Sequence, residues 1–104
     1  MIDPHLLGIE LRHLRYFLAV FDERHVGRAA VRLGMTRSPL ARAIRALEAG
    51  LGVALFMRSS RGVTPTAAAE ALAGEARELL TTFESAVAAV RRTTDGRERR
   101  RSAA

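Results

Sequence analysis

Gly27-Arg28-Ala29-Ala30-Val31-Arg32-Leu33-Gly34-Met35-Thr36-Arg37-Ser38-Pro39-Leu40-Ala41-Arg42-Ala43-Ile44-Arg45-Ala46-Leu47 holds two helical patterns with almost nothing between them. In the first, Ala29, Ala30 and Leu33 share one side and pack inward; the piece is too short to stand alone and needs partners. Gly34 stops it, because glycine readily takes the left-handed conformation that ends helices. The second pattern starts at Thr36 or Ser38, either of which can cap it. Pro39 is tolerated there because the first turn has no amide partners to lose. Leu40, Ile44, Leu47 and Leu51 form its apolar face, and Gly50 and Gly52 mark its end. Two helices joined only by Gly34 to Thr36, the second amphipathic, make a helix-turn-helix pattern.

Upstream, Leu11, Leu14, Leu18 and Phe21, with Phe17 beside them, recur at helical spacing. This helix ends in solvent at Asp22, Glu23 and Arg24. Before it, Pro4 and Gly8 fall in a stretch without a period, which reads as a loose arm. Downstream, Val53, Leu55, Phe56 and Met57 and then Val63 flank the loop Arg58-Ser59-Ser60-Arg61-Gly62, a β-hairpin or wing. From Thr66 a long helix begins, with Leu72, Ala76, Leu79, Phe83, Val87 and Val90 at alternating steps of three and four. Carried to about Arg92, it would be roughly 40 Å long. A domain this small cannot cover such a helix. Its first half is within reach of the chain's own helices, and the remainder is expected to pair with a second chain.

The expected fold is therefore mainly α: a winged helix-turn-helix, with a three-helix core plus a β-hairpin wing, followed by a long linker or dimerisation helix. The boundaries are an arm over 1–10, the winged helix-turn-helix domain over 11–65, the long helix over 66–92 and a basic, disordered tail over 93–104.

The formal net charge is +6, and every basic residue in that count is arginine. A GC-rich genome also produces Arg- and Ala-rich proteins, so placement decides more than number. On the second helix of the pair, Ser38, Arg42 and Arg45 lie opposite Leu40 and Ile44, with Arg37 and Ala41 on the flank and no acid before Glu48. A helix fits the major groove of DNA, and arginine there can grip guanine bidentately. Arg28 and Arg32 before it, and Arg58 and Arg61 in the wing, flank the groove-facing helix and are positioned for phosphates. Thr36 and Arg45 complete the expected backbone contacts.

Other classes find little support. The chain has no cysteine, and His5, His13 and His25 are far apart without a partner motif. There is no phosphate loop, metal-ligand spacing or nucleophile elbow, so no catalysis, cofactor or metal is expected. No apolar run approaches the roughly 20 residues that span a membrane. A cytoplasmic, nucleoid-associated location is expected. The competing reading is a protein-interaction module, or a truncated regulator that acts by heterodimerisation through the long helix.

The run Leu11-Arg12-His13-Leu14-Arg15-Tyr16-Phe17-Leu18-Ala19-Val20 resembles the opening helix of LysR-type transcriptional regulators. Arg28-Ala29-Ala30, Leu33 and Ser38 to Glu48 resemble their helix-turn-helix. Leu51-Gly52-Val53, Leu55-Phe56, Arg58, Arg61 and Val63 resemble their wing, and Thr66 matches the threonine that opens their linker helix. The resemblance implies a homodimer, paired through linker helices, on a pseudo-palindromic double-stranded DNA site. It implies base contacts from Arg37, Ser38, Ala41 and Arg42 and wing phosphate contacts from Arg58 and Arg61. Arg37 stands where the family often has Gln, Ala41 replaces a common Ser, His25-Val26-Gly27 replaces the usual Ser-Phe-Thr, and Ala69 stands where Gly is usual. Family members continue into an effector-binding domain, so a small-molecule effector is expected only if a further domain exists outside these residues.

Overall fold

Phe17, with none of its surface exposed, sits in the middle of helix α1 (Leu11–Glu23), and its ring lies 5.8 Å from that of Phe21 and 5.6 Å from that of Phe56. Tilted aromatic contacts at such separations add about 0.5–1.5 kcal/mol beyond area burial. The computed structural model describes the backbone of residues 8–103 and the side chains of residues 8–94. After α1 come α2 (Val26–Leu33), α3 (Arg37–Leu51), an antiparallel hairpin of β1 (Phe56–Ser59) and β2 (Gly62–Pro65), and α4 (Ala67–Ala103). The winged helix-turn-helix expected from the pattern is the fold observed. Phe17, Val20, Leu40, Ile44, Leu47 and Leu55 are its fully enclosed large side chains.

Each helix end has a local cause. The Glu10 N–H donates to His13 Nδ1 at 2.9 Å, and the His13 N–H donates to the Glu10 carbonyl at 2.9 Å. Ile9 packs on the core. Residues 9 and 10 thus belong to the domain and not to a loose arm; Gly8 is an exposed turn residue, and the rest of that expectation, residues 1–7, lies outside the described residues. Helix α1 ends at Arg24, a non-glycine residue in the left-handed region (φ 57°). Its guanidinium lies 5.2 Å from the centre of the Phe21 ring, and its Nε donates to the Phe21 carbonyl at 2.8 Å. Gly34 (φ 68°) and Gly52 (φ 74°) end α2 and α3 as the sequence suggests.

Two expectations about apolar faces need correction. Leu51 is 36% exposed and lies outside the core, so the apolar face of α3 stops a turn earlier, at Leu47. Val53, expected in the first strand, lies in the turn after α3 and is also exposed. The strand begins at Phe56, which points inward while Met57 points out, the alternation that a pleated strand imposes. The loop is tighter than expected, because Arg58 pairs with Val63 and Ser59 with Gly62, leaving only Ser60 and Arg61 at the tip.

Three anchors fix the wing. Glu48 Oε2 accepts from the N–H of Leu55 at 2.8 Å and of Phe56 at 3.3 Å. The Thr66 hydroxyl donates to the Ala54 carbonyl at 2.8 Å and accepts from the Ala69 N–H at 3.2 Å, so it holds the chain before β1 and opens α4 together. The Val63 N–H donates to the Arg24 carbonyl at 3.0 Å. Gly62 sits so close to that corner that a Cβ would lie 2.4 Å from the Arg24 oxygen.

Helix α4, about 55 Å long at 1.5 Å per residue, packs Ala69, Ala73 and Ala76 into the core, with Leu72 and Leu80 against it. This corrects the expected dimer seam. Ala76 has no exposed surface, so it has none to offer a second chain, and Leu72 is committed to its own core. Beyond Leu80 the helix outruns the domain that supports it. It also continues past Arg92 to Ala103, where a disordered tail was expected. Arg, Glu and Ala are good helix formers, no proline intervenes, and the single Gly96 costs only about 1 kcal/mol. The hydroxyls of Thr93 and Thr94 donate to the Val90 carbonyl at 2.8 and 2.9 Å, satisfying themselves without breaking the helix.

Candidate nucleic-acid interface

With Leu40, Ile44 and Leu47 buried, α3 turns Arg37, Ser38, Arg42 and Arg45 to solvent. Ala41 is half-buried and packs on the core, so of the expected base-facing set it is the least open. Thr36 is exposed at the N-cap, but its side chain makes no cap bond to the helix. The first-turn amides of α3 therefore keep their partial positive charge available to an anion.

Ion pairing divides the arginines into two groups. Arg12 pairs with Glu10 (2.9 Å), Arg15 with Glu84 (3.9 Å), Arg28 with Glu23 (3.8 Å) and Arg77 with Asp22 (2.6 Å). Arg32 lies between Asp22 (3.4 Å) and Glu23 (3.5 Å). Among the described residues, Arg37, Arg42, Arg45, Arg58 and Arg61 make no ion pair, and neither do Arg91 and Arg92 near the far end of α4. Arg24, at the end of α1, also lacks an ion pair and lies against the Phe21 ring and carbonyl; on α3 and the wing every guanidinium is left without a carboxylate. Arg28 and Arg32, expected on the phosphate backbone, are instead grouped with the acidic corner at the end of α1. They remain half or more exposed there.

Between the wing and the start of α2 lies a cleft of about 130 Å³ that brings together residues far apart in sequence. Arg37 from α3 and Arg58 from β1 line it, with Ser59, Ser60 and His25. His25 caps α2, its Nδ1 accepting from the Arg28 N–H at 3.1 Å. It does the work of the serine usual at that point in the resembled family. Sequence reasoning missed this, because it looks for Ser, Thr, Asp or Asn at caps. It also missed Glu48, read only as the first acid on an exposed face. A carboxylate one turn before the helix end, followed closely by a strand with unpaired amides, was the available signal.

Along α4 the second half of the expected seam stays open: Leu79 is 51%, Phe83 44% and Val90 61% exposed, and Val87 is half-buried. Phe83 and Val87 line a concavity of about 430 Å³ bounded by Arg15 and Glu84. Among the described residues no helix is long and apolar enough to cross a membrane, and no cluster of three or more His, Asp or Glu side chains could hold a metal ion.

The pattern of the family described as "Bacterial regulatory helix-turn-helix protein, lysR family" matches residues 11–70. Over 90 residues the chain is 43% identical to the HTH-type transcriptional regulator YnfL of Escherichia coli (strain K12), covering 86% of this chain and 30% of that protein. Over 72 residues it is 50% identical to the HTH-type transcriptional regulator ClcR of Pseudomonas putida, covering 69% of this chain and 24% of the relative. The chain thus spans less than a third of the length of these curated relatives. Its fold matches the crystal structure of a CbnR_DBD–DNA complex with a TM-score of 0.80 at 38% identity, covering 83% of this chain and 99% of that one. The BenM_DBD/catB site 1 DNA complex gives a TM-score of 0.79 at 38% identity, covering 83% and 97%. A regulator's sequence pattern and a DNA-binding domain's fold coincide over the same residues, and the chain belongs to the lysR family of bacterial regulatory helix-turn-helix proteins.

Proposed function

We propose that this chain binds double-stranded DNA sequence-specifically as a homodimer and regulates transcription in the bacterial cytoplasm. Helix α3 enters the major groove, where Arg37, Ser38 and Arg42, flanked by Ala41, meet base edges. Thr36, Arg45, Arg58 and Arg61 meet phosphates beside the groove, with Arg28 and Arg32 at its margin. Leu79, Phe83, Val87 and Val90 pair with their copies on a second chain, which presents two α3 helices to a pseudo-palindromic site. A small-molecule effector enters only if a further domain exists outside these residues.

The observation that carries this reading is the placement of charge: all five guanidiniums on α3 and the wing stand without carboxylates, while those within α1 and α2 and Arg77 on α4 are paired, Arg24 at the end of α1 and Arg91 and Arg92 far along α4 being the other unpaired ones among the described residues. An arginine kept only for solubility has no reason to avoid acids on one surface alone. Three phosphate-facing arginines per subunit (Arg45, Arg58 and Arg61), doubled in a dimer, imply a slope of log K against log salt of about −5. The test is affinity for a duplex selected by the chain from a random-sequence pool, measured from about 50 to 200 mM salt, across which binding should fall roughly a thousandfold. Weak binding that ignores salt refutes the proposal.

A further inference from the structure

We infer that His25 holds one phosphodiester of the DNA backbone through its Nε2–H, in the cleft between the wing and the start of α2, alongside the Arg58 guanidinium. This rests on the DNA-binding reading above and adds to it a contact that neither the helix-turn-helix pattern nor the arginine count contains.

The cap fixes the chemistry of the ring. His25 Nδ1 accepts from the Arg28 N–H at 3.1 Å, so in the neutral imidazole the proton sits on Nε2 and makes that atom a donor. Two glycines make room for the ring. A Cβ on Gly27 would lie 2.9 Å from His25 Cε1, and one on Gly62 would lie 3.9 Å from Cδ2. Those two carbons flank Nε2, so the imidazole stands between the Gly27 and Gly62 backbones, held at Nδ1 by the Arg28 N–H. Among the described residues Nε2 has no hydrogen-bond partner, yet no buried side-chain nitrogen is left unpaired. Nε2 therefore reaches the surface, and the surface that His25 lines is the cleft.

The cleft is built for an anion. Arg37 and Arg58 line it without ion pairs, no carboxylate lines it, and at about 130 Å³ it has room for one tetrahedral group. The Arg37 side chain passes close to Gly27, where an added Cβ would lie 3.8 Å from its Cδ, so arginine and imidazole approach the same space from α3 and α2. Ser59 Oγ accepts from the Arg61 N–H at 3.2 Å, which leaves its own hydrogen free to donate. Neutral imidazole and charged guanidinium then divide the work: Arg58 supplies attraction at range, and His25 supplies a short, directed bond that fixes where the wing sits along the backbone.

The test uses His25→Asn. Asparagine keeps an acceptor for the Arg28 N–H and caps helices well, but its shorter side chain does not reach the position of Nε2. Circular dichroism and thermal unfolding should match the parent, and affinity for the selected duplex should fall about tenfold, as for a hydrogen bond to a charged group. A set of duplexes, each carrying one neutral methylphosphonate linkage, then locates the contact. In the parent chain one linkage beside the wing should weaken binding strongly. In His25→Asn the penalty at that linkage should shrink several-fold, Arg58 accounting for the remainder, while penalties elsewhere persist. If the variant loses affinity but keeps every penalty unchanged, or loses no affinity, the inference is overturned while DNA binding stands. If the parent chain shows no salt-dependent binding at all, the DNA reading falls and this contact with it.

Discussion

Replacing Glu48 with alanine is expected to unfasten the wing without altering any residue on the surface that faces DNA. Glu48 Oε2 accepts from the Leu55 N–H at 2.8 Å and the Phe56 N–H at 3.3 Å, beside side chains that are 0% and 7% exposed. Removing the carboxylate leaves two largely enclosed amides without partners, at about 1–3 kcal/mol each, with the longer bond at the lower end. The expected loss is about 2–4 kcal/mol, a large share of the 5–15 kcal/mol that typically holds a domain together. For a domain of this size each kcal/mol moves Tm by roughly 4–8 °C, so Glu48→Ala should melt at least about 8 °C lower. Glu48→Gln keeps an acceptor oxygen in place and should cost only about 1 kcal/mol. Thermal unfolding followed by circular dichroism, repeated near 1 M salt, separates this from a surface effect. Exposed charge pairs are screened there, while a shielded acceptor is not. A change in Glu48→Ala below about 0.5 kcal/mol, or one that disappears at high salt, would refute the reasoning.

Other expectations follow from the same geometry. Gly62→Ala should be severely destabilising, by more than about 2 kcal/mol in urea unfolding, because its Cβ would meet the Arg24 carbonyl at 2.4 Å and its φ is 137°. Gly74→Ala, with nothing within 4 Å of its Cβ, should stabilise α4 by about 0.5–1 kcal/mol in the same assay. Phe83→Asp should leave the fold intact, the side chain being 44% exposed, and shift the protein to monomer in sedimentation; a dimer that persists would place the interface elsewhere. Arg42→Ala should cost about 1–3 kcal/mol of affinity for the selected duplex with an unchanged circular dichroism spectrum. It should do so more than for unrelated duplex, which distinguishes base reading from general attraction.

What was legible in the sequence followed from periodicity and from glycine. Gly34 and Gly52 had to be turns, Leu40, Ile44 and Leu47 had to face inward, and those constraints fix which side of α3 is open. Where the reading failed, an element ran beyond its support or stopped short of it. Leu51 continues the helical period, but the core ends at Leu47, and no pattern within a helix reports where its neighbours end. Leu72, Ala76, Leu79 and Phe83 form one unbroken repeat, yet the first two are occupied by the chain's own core and the last two are not. The caps at His25 and the strap at Glu48 were invisible for a different reason. Each depends on a side chain meeting a backbone amide, and such meetings leave no trace in hydrophobic spacing. The division of arginines into paired and unpaired was likewise hidden, because Arg77 and Asp22 meet only after α4 folds back across α1.

The Thr66 hydroxyl bridges two elements, gripping the chain that leads into the hairpin at Ala54 and the first turn of the long helix at Ala69. The start of the rod and the entry to the hairpin are thereby tied at one side chain.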